Sequence, residues 1–367
     1  MNPQRQCCHN AHCEHRGVFD KGNIGVHSHK DKRYICHRCG KTFSATINTP
    51  LYRKQYAHTL FAQVVSLLAH GCPTQAIVAA FDMDERTVAA WQKESGEHCQ
   101  RVHEAESRPQ ELVQVQADEI RLKAQGMIPW IAMAIAVPTR FWLGAEVSLH
   151  RDWSLVHALA LKVKAWSLCR EMLIAFDGFA AYPSAFTAAF RTAIPTGKQG
   201  RPRLVEWPPL VFGRVIKQKI AGRLASIQRT IVRGTEPVAE CLITRSQGKP
   251  GGVLNTSFIE RFNATVRSRL ACCVRRTRAL VHDVTTLTPA IYLVGTVYNF
   301  CSWHQSLRTK LFINERNYKW VRRTPAMAAG LTDHRWTVLE LLQYQCPEPV
   351  YQKPKKRGRP KKQVKNE

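Results

Sequence analysis

The sequence predicts a multidomain protein, with a small zinc ribbon, an all-α helix-turn-helix domain and a larger α/β domain that contains a mixed sheet. Three observations lead to this prediction. Five of the 13 cysteines lie within the first 39 residues. Helical spacing of apolar residues fills residues 57–103, and strand patterns alternate with helix patterns from residue 112 onward. A chain of 367 residues is long enough for two or three such domains.

Residues 1–50 are predicted to form the zinc ribbon because cysteine and histidine crowd this segment. Two cysteines two residues apart and followed by a glycine, as in CHRCG, are typical of half a zinc site. A core this small needs a structural Zn²⁺ to stabilise it. The predicted ligands are Cys8, Cys13, Cys36 and Cys39. Cys7 is an alternative to Cys8, and the alternative histidine ligands are His9, His12, His15 and His37. A simpler interpretation is that the cysteines are only buried thiols.

Residues 55–103 are predicted to form a helix-turn-helix domain that binds DNA. A short helix begins near Pro73, and Asp84 is placed to cap the next helix, whose Val88 and Trp91 face inward. The opposite face of that helix is then free to enter the major groove. The residues predicted to contact DNA there are Arg86, Thr87, Ala90 and Lys93. The pattern is also compatible with a plain helical bundle.

The charge of the chain indicates a polyanionic partner. Lysine and arginine number 54 against 27 aspartates and glutamates, which gives a formal net charge of +27. No apolar stretch approaches the ~20 residues of a membrane-spanning helix, and no secretory leader opens the chain. Nucleic acid is therefore the expected partner, and membrane is excluded. Residues 347–367 form a basic tail in which Arg357 and Arg359 flank a glycine and resemble an AT-hook. Such a tail can also be a nonspecific phosphate anchor.

Three acids stand out within this cationic background. Asp118 lies on a predicted strand, Asp177 ends the apolar strand MLIAF, and Glu260 lies on a helix predicted over 256–274. Strand ends are where α/β sheets expose their chemistry, so we expect these carboxylates to converge. Oxygen ligands suit Mg²⁺, and two such ions about 3.5–4 Å apart can activate one phosphodiester oxygen and stabilise another. Taken singly, each acid has a simpler interpretation as an ion-pair, turn or surface residue.

Helical periodicity organises the segment around Glu260. Ile259, Phe262, Val266 and Leu270 share a predicted buried stripe, while Glu260 shares the adjoining strip with Asn263 and Arg267. The arginines of this segment are predicted to contact DNA phosphates. Those residues are Arg261, Arg267, Arg269 and Arg276.

Motifs along nearly the whole chain resemble those of DDE transposases of bacterial insertion sequences, in particular the insertion-sequence-one-like group. The resemblance rests on YICHRCGKTFS, QADE, FDGFAAYP, NTSFIERFNATVRSRL and YNFCSWHQSLR. It implies an RNase H-like catalytic domain over 112–310, followed by a C-terminal helical extension over 311–346. It also implies that Asp118, Asp177 and Glu260 bind catalytic Mg²⁺ or Mn²⁺, and His304 is a further candidate as a proton carrier.

The same resemblance implies an activity, partners and a location. Transposon-end DNA is cleaved with water, and the freed 3′-OH then attacks target DNA. The partners are transposon ends and target DNA, with a homo-oligomer assembled on them, and the location is the cytoplasm of a bacterium, at the nucleoid. Two alternatives are a non-enzymatic zinc-ribbon and helix-turn-helix regulator, which leaves the three acids without a role, and a metal-dependent nuclease without strand transfer.

Overall fold

The computed structural model describes residues 1–352 except 196, 198, 199, 209, 222, 249, 275–280, 282, 315 and 316. The chain divides into two compact units. The first contains residues 1–53 and the segment that begins at 344, and the second contains residues 54–343. We call them the cysteine unit and the sheet unit. The predicted DNA contacts Arg276, Arg357 and Arg359 lie outside the described residues.

The cysteine unit is built on a small antiparallel sheet in the order β1-β2-β3. Its strands are β1 (Ile24–Ser28), β2 (Arg33–Cys36) and β3 (Thr42–Ser44). Its core consists of cysteines packed with Ile24, Tyr34 and Phe43. The segment after residue 343 belongs to this unit: Gln345 donates to the Ala45 carbonyl (3.0 Å), and Glu348 accepts from Arg16 (2.9 Å). The tail predicted from residue 347 therefore starts as a packed segment, because an arginine partner anchors Glu348.

Three helices open the sheet unit. They are α1 (His58–Ala69), α2 (Thr74–Phe81) and α3 (Glu85–Ala105). Asp84 caps α3 by accepting from the N–H groups of Arg86 (2.9 Å) and Thr87 (3.2 Å). Val88 and Trp91 are buried, as the sequence predicts. Helix α2, a tight turn and helix α3 thus lie in the part of the chain where the sequence pattern predicted them.

In the described part of the chain, the central sheet has six strands in the order β11-β10-β7-β4-β5-β6. These are β4 (Gln114–Arg121), β5 (Trp130–Ala136), β6 (Trp142–Ser148), β7 (Met172–Phe176), β10 (Leu210–Ile220) and β11 (Arg223–Arg233). The elements between them are α4 (Trp153–Ala165), α5 (Ala181–Ala189), β8 (Arg191–Ile194) and β9 (Arg203–Glu206). Strands β4, β5 and β6 form an antiparallel meander, β7 and β10 run parallel to β4, and β11 is antiparallel. The predicted mixed sheet is confirmed.

The remaining elements cover the sheet or project from it. They are α6 (Glu236–Gln247), α7 (Ser257–Arg269), α8 (Leu287–Thr296), β12 (His304–Phe312), β13 (Tyr318–Arg323), α9 (Pro325–Ala328) and α10 (Val338–Gln343). Helix α7 contacts β4 and β5, whereas α4 contacts β5 and β6. The structure corrects two predicted bounds. The helix predicted over 256–274 ends at Arg269, and the region 311–346, predicted to be helical, begins inside the antiparallel β12–β13 hairpin.

The second half of α3 packs against α8. The helices approach closely at Gly96, where a Cβ atom would lie 2.2 Å from the Pro289 carbonyl oxygen, so only glycine fits. Two buried histidines of α3 bond to backbone carbonyls elsewhere in the unit: His98 Nε2 to Leu341 (3.0 Å) and His103 Nε2 to Leu143 (3.1 Å). Helix α3 is thus part of the core of the sheet unit. Among the described residues, no helix has the length and apolar character needed to cross a bilayer.

Candidate active site

Four thiols meet in the cysteine unit. The sulfur atoms of Cys8, Cys13, Cys36 and Cys39 lie within 4.8 Å of one another. Cys8 and Cys39 are 3.7 Å apart and Cys13 and Cys36 are 3.9 Å apart. Tetrahedral zinc with Zn–S bonds of about 2.3 Å requires sulfur atoms about 3.8 Å apart. A buried four-cysteine group of this size can hold a structural zinc.

The structure separates Cys8 from Cys7 as candidate ligands. Cys7 is buried but is not a member of the four-sulfur group. His9 Nδ1 bonds to Asn48, and His9 is likewise not a member of the group. Burial raises the pKa of the Cys8 thiol. Burial also acts to raise the pKa of Cys39, but the Lys41 backbone N–H and neighbouring groups stabilise its thiolate, and the pKa of Cys39 falls to about 7. The set thus includes a thiol that ionises readily, and the thiolate is the form that binds zinc.

In the sheet unit, the parallel pairing of β4 and β7 brings Asp118 and Asp177 together. Gln116 pairs with Ala175 in this register, so a continuation by two residues sets Asp118 beside Asp177, just after the end of β7. Neighbouring strands lie about 4.8 Å apart. The carboxylates of Asp118 and Asp177 are within 4.8 Å of each other, together with that of Glu119. We call these three residues the carboxylate cluster.

Glu119 was not predicted as a site residue. Its carboxylate accepts from Arg151 Nη2 (2.8 Å) and Nε (3.1 Å), and the same Nη2 reaches Asp177 Oδ2 at 3.3 Å. The Tyr182 hydroxyl lies near Glu119 and acts to lower the pKa of its carboxyl group. Among the described residues, this hydroxyl and Glu119 Oε1 have no hydrogen-bond partner. Arg151 thus provides the positive charge for two members of the cluster.

Mutual repulsion and burial perturb the cluster. Burial raises the pKa of Asp118 to about 7, and the negative charges of Asp177, Glu119 and Glu260 add to the rise. Burial also raises the pKa of Glu119, against the lowering effect of Arg151. Carboxylates whose ionised forms repel one another in a cleft are typical of sites that bind a cation. A divalent cation would remove the repulsion.

Helix α7 approaches the cluster along the predicted strip. Asn263, only 1% exposed, donates to Asp118 Oδ2 at 2.8 Å. The side chain of Gln116 caps the start of α7, because its Oε1 accepts from the N–H groups of Phe258 (2.9 Å) and Ile259 (3.0 Å). Gln116 is two residues from Asp118 and therefore shares its face of β4. Strand β4 thus carries both Gln116, which caps α7, and Asp118, which bonds to Asn263 of α7.

Glu260 lies one turn before Asn263 but outside the carboxylate cluster as defined. Its Oε1 accepts from the Thr256 hydroxyl (2.6 Å) and from the Lys217 ammonium of β10. It is close enough to Asp118 to raise the pKa of that residue. The structure therefore brings Asp118 and Asp177 together and leaves Glu260 alongside, bound to a lysine.

The donor chemistry at the cluster fits a hard divalent cation. Every candidate ligand is a carboxylate oxygen, the ligand type that Mg²⁺ and Mn²⁺ accept. Arg151 and Lys217 now neutralise the acids that such an ion would neutralise. The carboxylate cluster can therefore bind a metal ion, and Glu260, paired with Lys217, is not one of its members.

The predicted DNA contacts on α3 lie on its outer face. Arg86, Ala90 and Lys93 are exposed and Thr87 is half-buried, opposite the buried Val88 and Trp91. On α7, Arg267 and Arg269 are both half-buried. His304 is half-buried, its Nδ1 lies 3.0 Å from the Ser306 hydroxyl, and burial together with Arg140 and Arg261 lowers its pKa to about 4.

The site residues that sequence reasoning missed came with weak signals. Glu119 is adjacent to Asp118, and neighbouring residues of a strand ordinarily point to opposite faces, so its position in the sequence did not single it out. Gln116, Arg151 and Lys217 gave no signal, since they act through contacts with residues far away in the chain. No protein-family model matches the chain, and no curated protein matches it significantly.

Proposed function

We propose that this protein is a DDE transposase, which binds the ends of an insertion sequence, cleaves a DNA strand there and joins the freed 3′-OH to target DNA. The observation that carries the proposal is the meeting of Asp118 and Asp177 at neighbouring parallel strands, with Glu260 alongside on α7. Separate strands and a helix supply these acids, and a purely structural role would not require them to meet.

The sheet topology supports an RNase H-like assignment for residues 112–310. The antiparallel meander β4–β6 is followed by β7 and β10, both parallel to the first strand, with helices α4 and α5 in the connections. The acids occupy the middle of this arrangement, on β4 and after β7.

Each side chain has a distinct part in the proposed reaction. Asp118 and Asp177 would hold Mg²⁺ or Mn²⁺ with Glu260, and Glu119 is a candidate fourth ligand. A bound metal ion supplies charge that activates the attacking oxygen and stabilises the leaving oxygen of a phosphodiester. Asn263 orients Asp118 through Oδ2, and Gln116 fixes the helix that carries Glu260. Positioning of this kind is a large part of catalysis by metal-dependent transferases.

DNA recognition in this proposal involves two further parts. The outer face of α3, with Arg86, Thr87 and Lys93, would read the major groove. The four-cysteine group would bind Zn²⁺, and the bound ion would stabilise the fold of the cysteine unit. The net charge of +27 supplies long-range attraction for the phosphate backbone. Binding of paired ends would require more than one copy of the chain.

The test compares Asp177→Asn with Asp333→Asn, in which an acid with a 96% exposed side chain is changed. The substrate is the DNA that flanks the gene, with Mg²⁺ or Mn²⁺ supplied. We expect Asp177→Asn to reduce strand cleavage by roughly 10³-fold or more while DNA binding persists, since removal of one member of a catalytic unit abolishes most of its effect. Asp333→Asn should cleave like the wild type.

The alternatives give different results in the same assay. A DNA-binding regulator would bind the flanking DNA, never cleave it, and be indifferent to Asp177→Asn. A nuclease without strand transfer would cleave but would not join a pre-cleaved end with a 3′-OH to a target. Joining by the wild type together with its loss in Asp177→Asn is the result that the proposal requires.

A further inference from the structure

A cavity of about 630 Å³ opens in the sheet unit beside the C-terminal end of α7. Helix α1 forms one wall, and residues 301–303 and 335–339 form the other. The residues that matter for its chemistry are Gln63, His70, Arg269, Trp303, Arg335 and Trp336. Of the described residues that line the cavity, none is acidic. Its volume is in the range of small-molecule and cofactor sites.

Arg269 gives the cavity a poorly compensated positive charge. It is half-buried, and burial lowers its pKa. Its Nη1 atom is buried and has no hydrogen-bond partner among the residues that the structure describes. The end of α1 packs tightly against it, because a Cβ atom on Gly71 would lie 2.8 Å from Arg269 Cα. A half-buried guanidinium with no acidic residue among the described residues that line its cavity favours an anion there.

An indole and a second guanidinium lie in the same cavity. Trp303 is 42% exposed, and the guanidinium of Arg335 lies 5.2 Å from the centre of its ring. Trp336, in contrast, is fixed: it stacks on Phe300 at 4.5 Å and donates to the Thr332 hydroxyl at 3.0 Å. Arg335 lies over the Trp303 ring, so the face that Trp303 offers a ligand is the one away from this guanidinium.

We propose that this cavity is a subsite for one nucleotide of a single DNA strand, in which Arg269 and Arg335 bind the phosphate and Trp303 stacks on the base. The combination of a stacking surface with cations and no acid is how proteins bind single strands without reading sequence. Arg269 is nine residues from Glu260 on α7, roughly 13 Å along the helix axis. The subsite rests on the proposed function, because a strand held here would extend toward the carboxylate cluster.

The experiment measures binding of a fluorescent short oligothymidylate to the full-length, zinc-loaded protein without added Mg²⁺ or Mn²⁺. Trp303→Leu should weaken binding at least about 5-fold, the lower end of the effect of one base–aromatic stack. Arg335→Gln should reduce the slope of log K against log salt by about 0.7, the loss of one phosphate contact on a single strand. Trp153→Leu, which removes a 43% exposed indole outside the cavity, should change neither quantity.

Each result supports or overturns the subsite. Unchanged affinity in Trp303→Leu together with an unchanged salt slope in Arg335→Gln would overturn it. If free thymidine monophosphate binds as tightly as the oligonucleotide, the ligand is a free nucleotide and the assignment to a strand is wrong. Both variants change exposed side chains, and thermal melting checks that they fold.

Failure of the subsite can be told from failure of the proposed function. If wild-type cleavage and joining depend on Asp177 while the cavity variants bind normally, only the subsite fails. If the wild type binds no DNA, both the subsite and the proposed function fail.

Discussion

The four-cysteine group of the cysteine unit and the carboxylate cluster of the sheet unit are both candidate metal sites, yet they are built in opposite ways. The thiols come from one short stretch, residues 8–39, and three of the four are fully buried. The carboxylates come from β4 and the end of β7, and two of the three are only half-buried. An ion held by the first arrangement would be enclosed, whereas an ion held by the second would keep positions open to solvent.

The two regions also differ in what neutralises their charges without metal. Arg151 pairs with Glu119 and Asp177, and Lys217 pairs with Glu260, so these three acids have protein counter-ions, while Asp118 accepts from the neutral Asn263. Around the four thiols, in contrast, the described contacts are to one another, to the amide of Asn23 on Cys36 at 3.6 Å and to backbone N–H groups, and none of these partners carries a positive charge. The sheet unit also has a much larger core. We expect metal to hold the cysteine unit together, whereas the sheet unit should fold without metal and, in the proposed function, use it for chemistry.

Zinc removal gives the largest expected effect and would separate the two regions. Structural zinc contributes about 10–16 kcal/mol of apparent binding free energy in small domains, more than so small a core can replace. We expect Cys8→Ser to unfold residues 1–53, which trypsin would then digest rapidly. All nine tryptophans lie between residues 91 and 336, so tryptophan fluorescence reports only on the sheet unit and should stay native.

Cys7→Ser is the matched control, because Cys7 is equally buried but lies outside the four-sulfur group. It should retain zinc, as measured by metal analysis of the purified protein. The contrast between the regions would be lost if Cys8→Ser kept its zinc, or if its tryptophan fluorescence changed together with trypsin sensitivity.

In acid, two histidines of α3 should destabilise the sheet unit, while Asp118, whose pKa is raised to about 7, acts in the opposite direction. Burial lowers the pKa of both His98 and His103 to about 4. In the unfolded chain they titrate near ~6.5, so the unfolded state binds more protons between these values. Their contribution to stability is therefore complete above ~pH 6.5 and is lost as the pH falls toward 4, by about 3 kcal/mol for each histidine.

Urea unfolding followed by tryptophan fluorescence at several pH values between 7.5 and 4.5 checks this expectation. His103→Gln keeps a donor for the Leu143 carbonyl but cannot titrate, so its stability should fall less steeply with pH than that of the wild type. His150→Gln changes an exposed histidine and should reproduce the wild-type slope. Equal slopes for all three proteins would show that the buried histidines do not control acid stability.

Features that depend on a few neighbouring residues could be predicted from the sequence. The Asp84 cap, the inward Val88 and Trp91 and the strand end at Asp177 follow from local spacing, and the structure has all of them. The register of β4 and β7 was needed to show that Asp118 and Asp177 are neighbours, and spacing along the chain contains no such information. Local patterns thus identified the acids but not their distances.

Features that depend on distant contacts could not be predicted. The side chain of Gln116 caps α7 by accepting a hydrogen bond from the Phe258 N–H, 142 residues later in the chain. The partner of Glu260 is Lys217, 43 residues before it, on a hairpin strand. The ion pair between Glu348 and Arg16 likewise joins residues that are far apart in the sequence. In each case tertiary packing chose the partner, and sequence pattern gave no reason to prefer that residue over many others of the same type.

The smallest expected effect concerns the link between Glu260 and the carboxylate cluster. Lys217 and Glu260 form a partly exposed ion pair, with side chains 32% and 44% exposed. Such pairs contribute about 0–1 kcal/mol, so a metal ion that recruits Glu260 must first displace a weakly held ammonium. Lys217→Met should therefore raise the affinity for Mn²⁺ by roughly 2- to 5-fold in calorimetric titrations at constant pH.

Lys123→Met is the control, since it removes an exposed lysine that follows β4 and should leave Mn²⁺ affinity unchanged. Glu260→Gln should act in the opposite direction to Lys217→Met and weaken Mn²⁺ binding, because an amide is a poorer ligand than a carboxylate. If Lys217→Met and Glu260→Gln both leave Mn²⁺ affinity unchanged, the ion is held by Asp118, Glu119 and Asp177 alone. The open site would then be limited to the two strands, and α7 would contribute orientation through Asn263 but no charge.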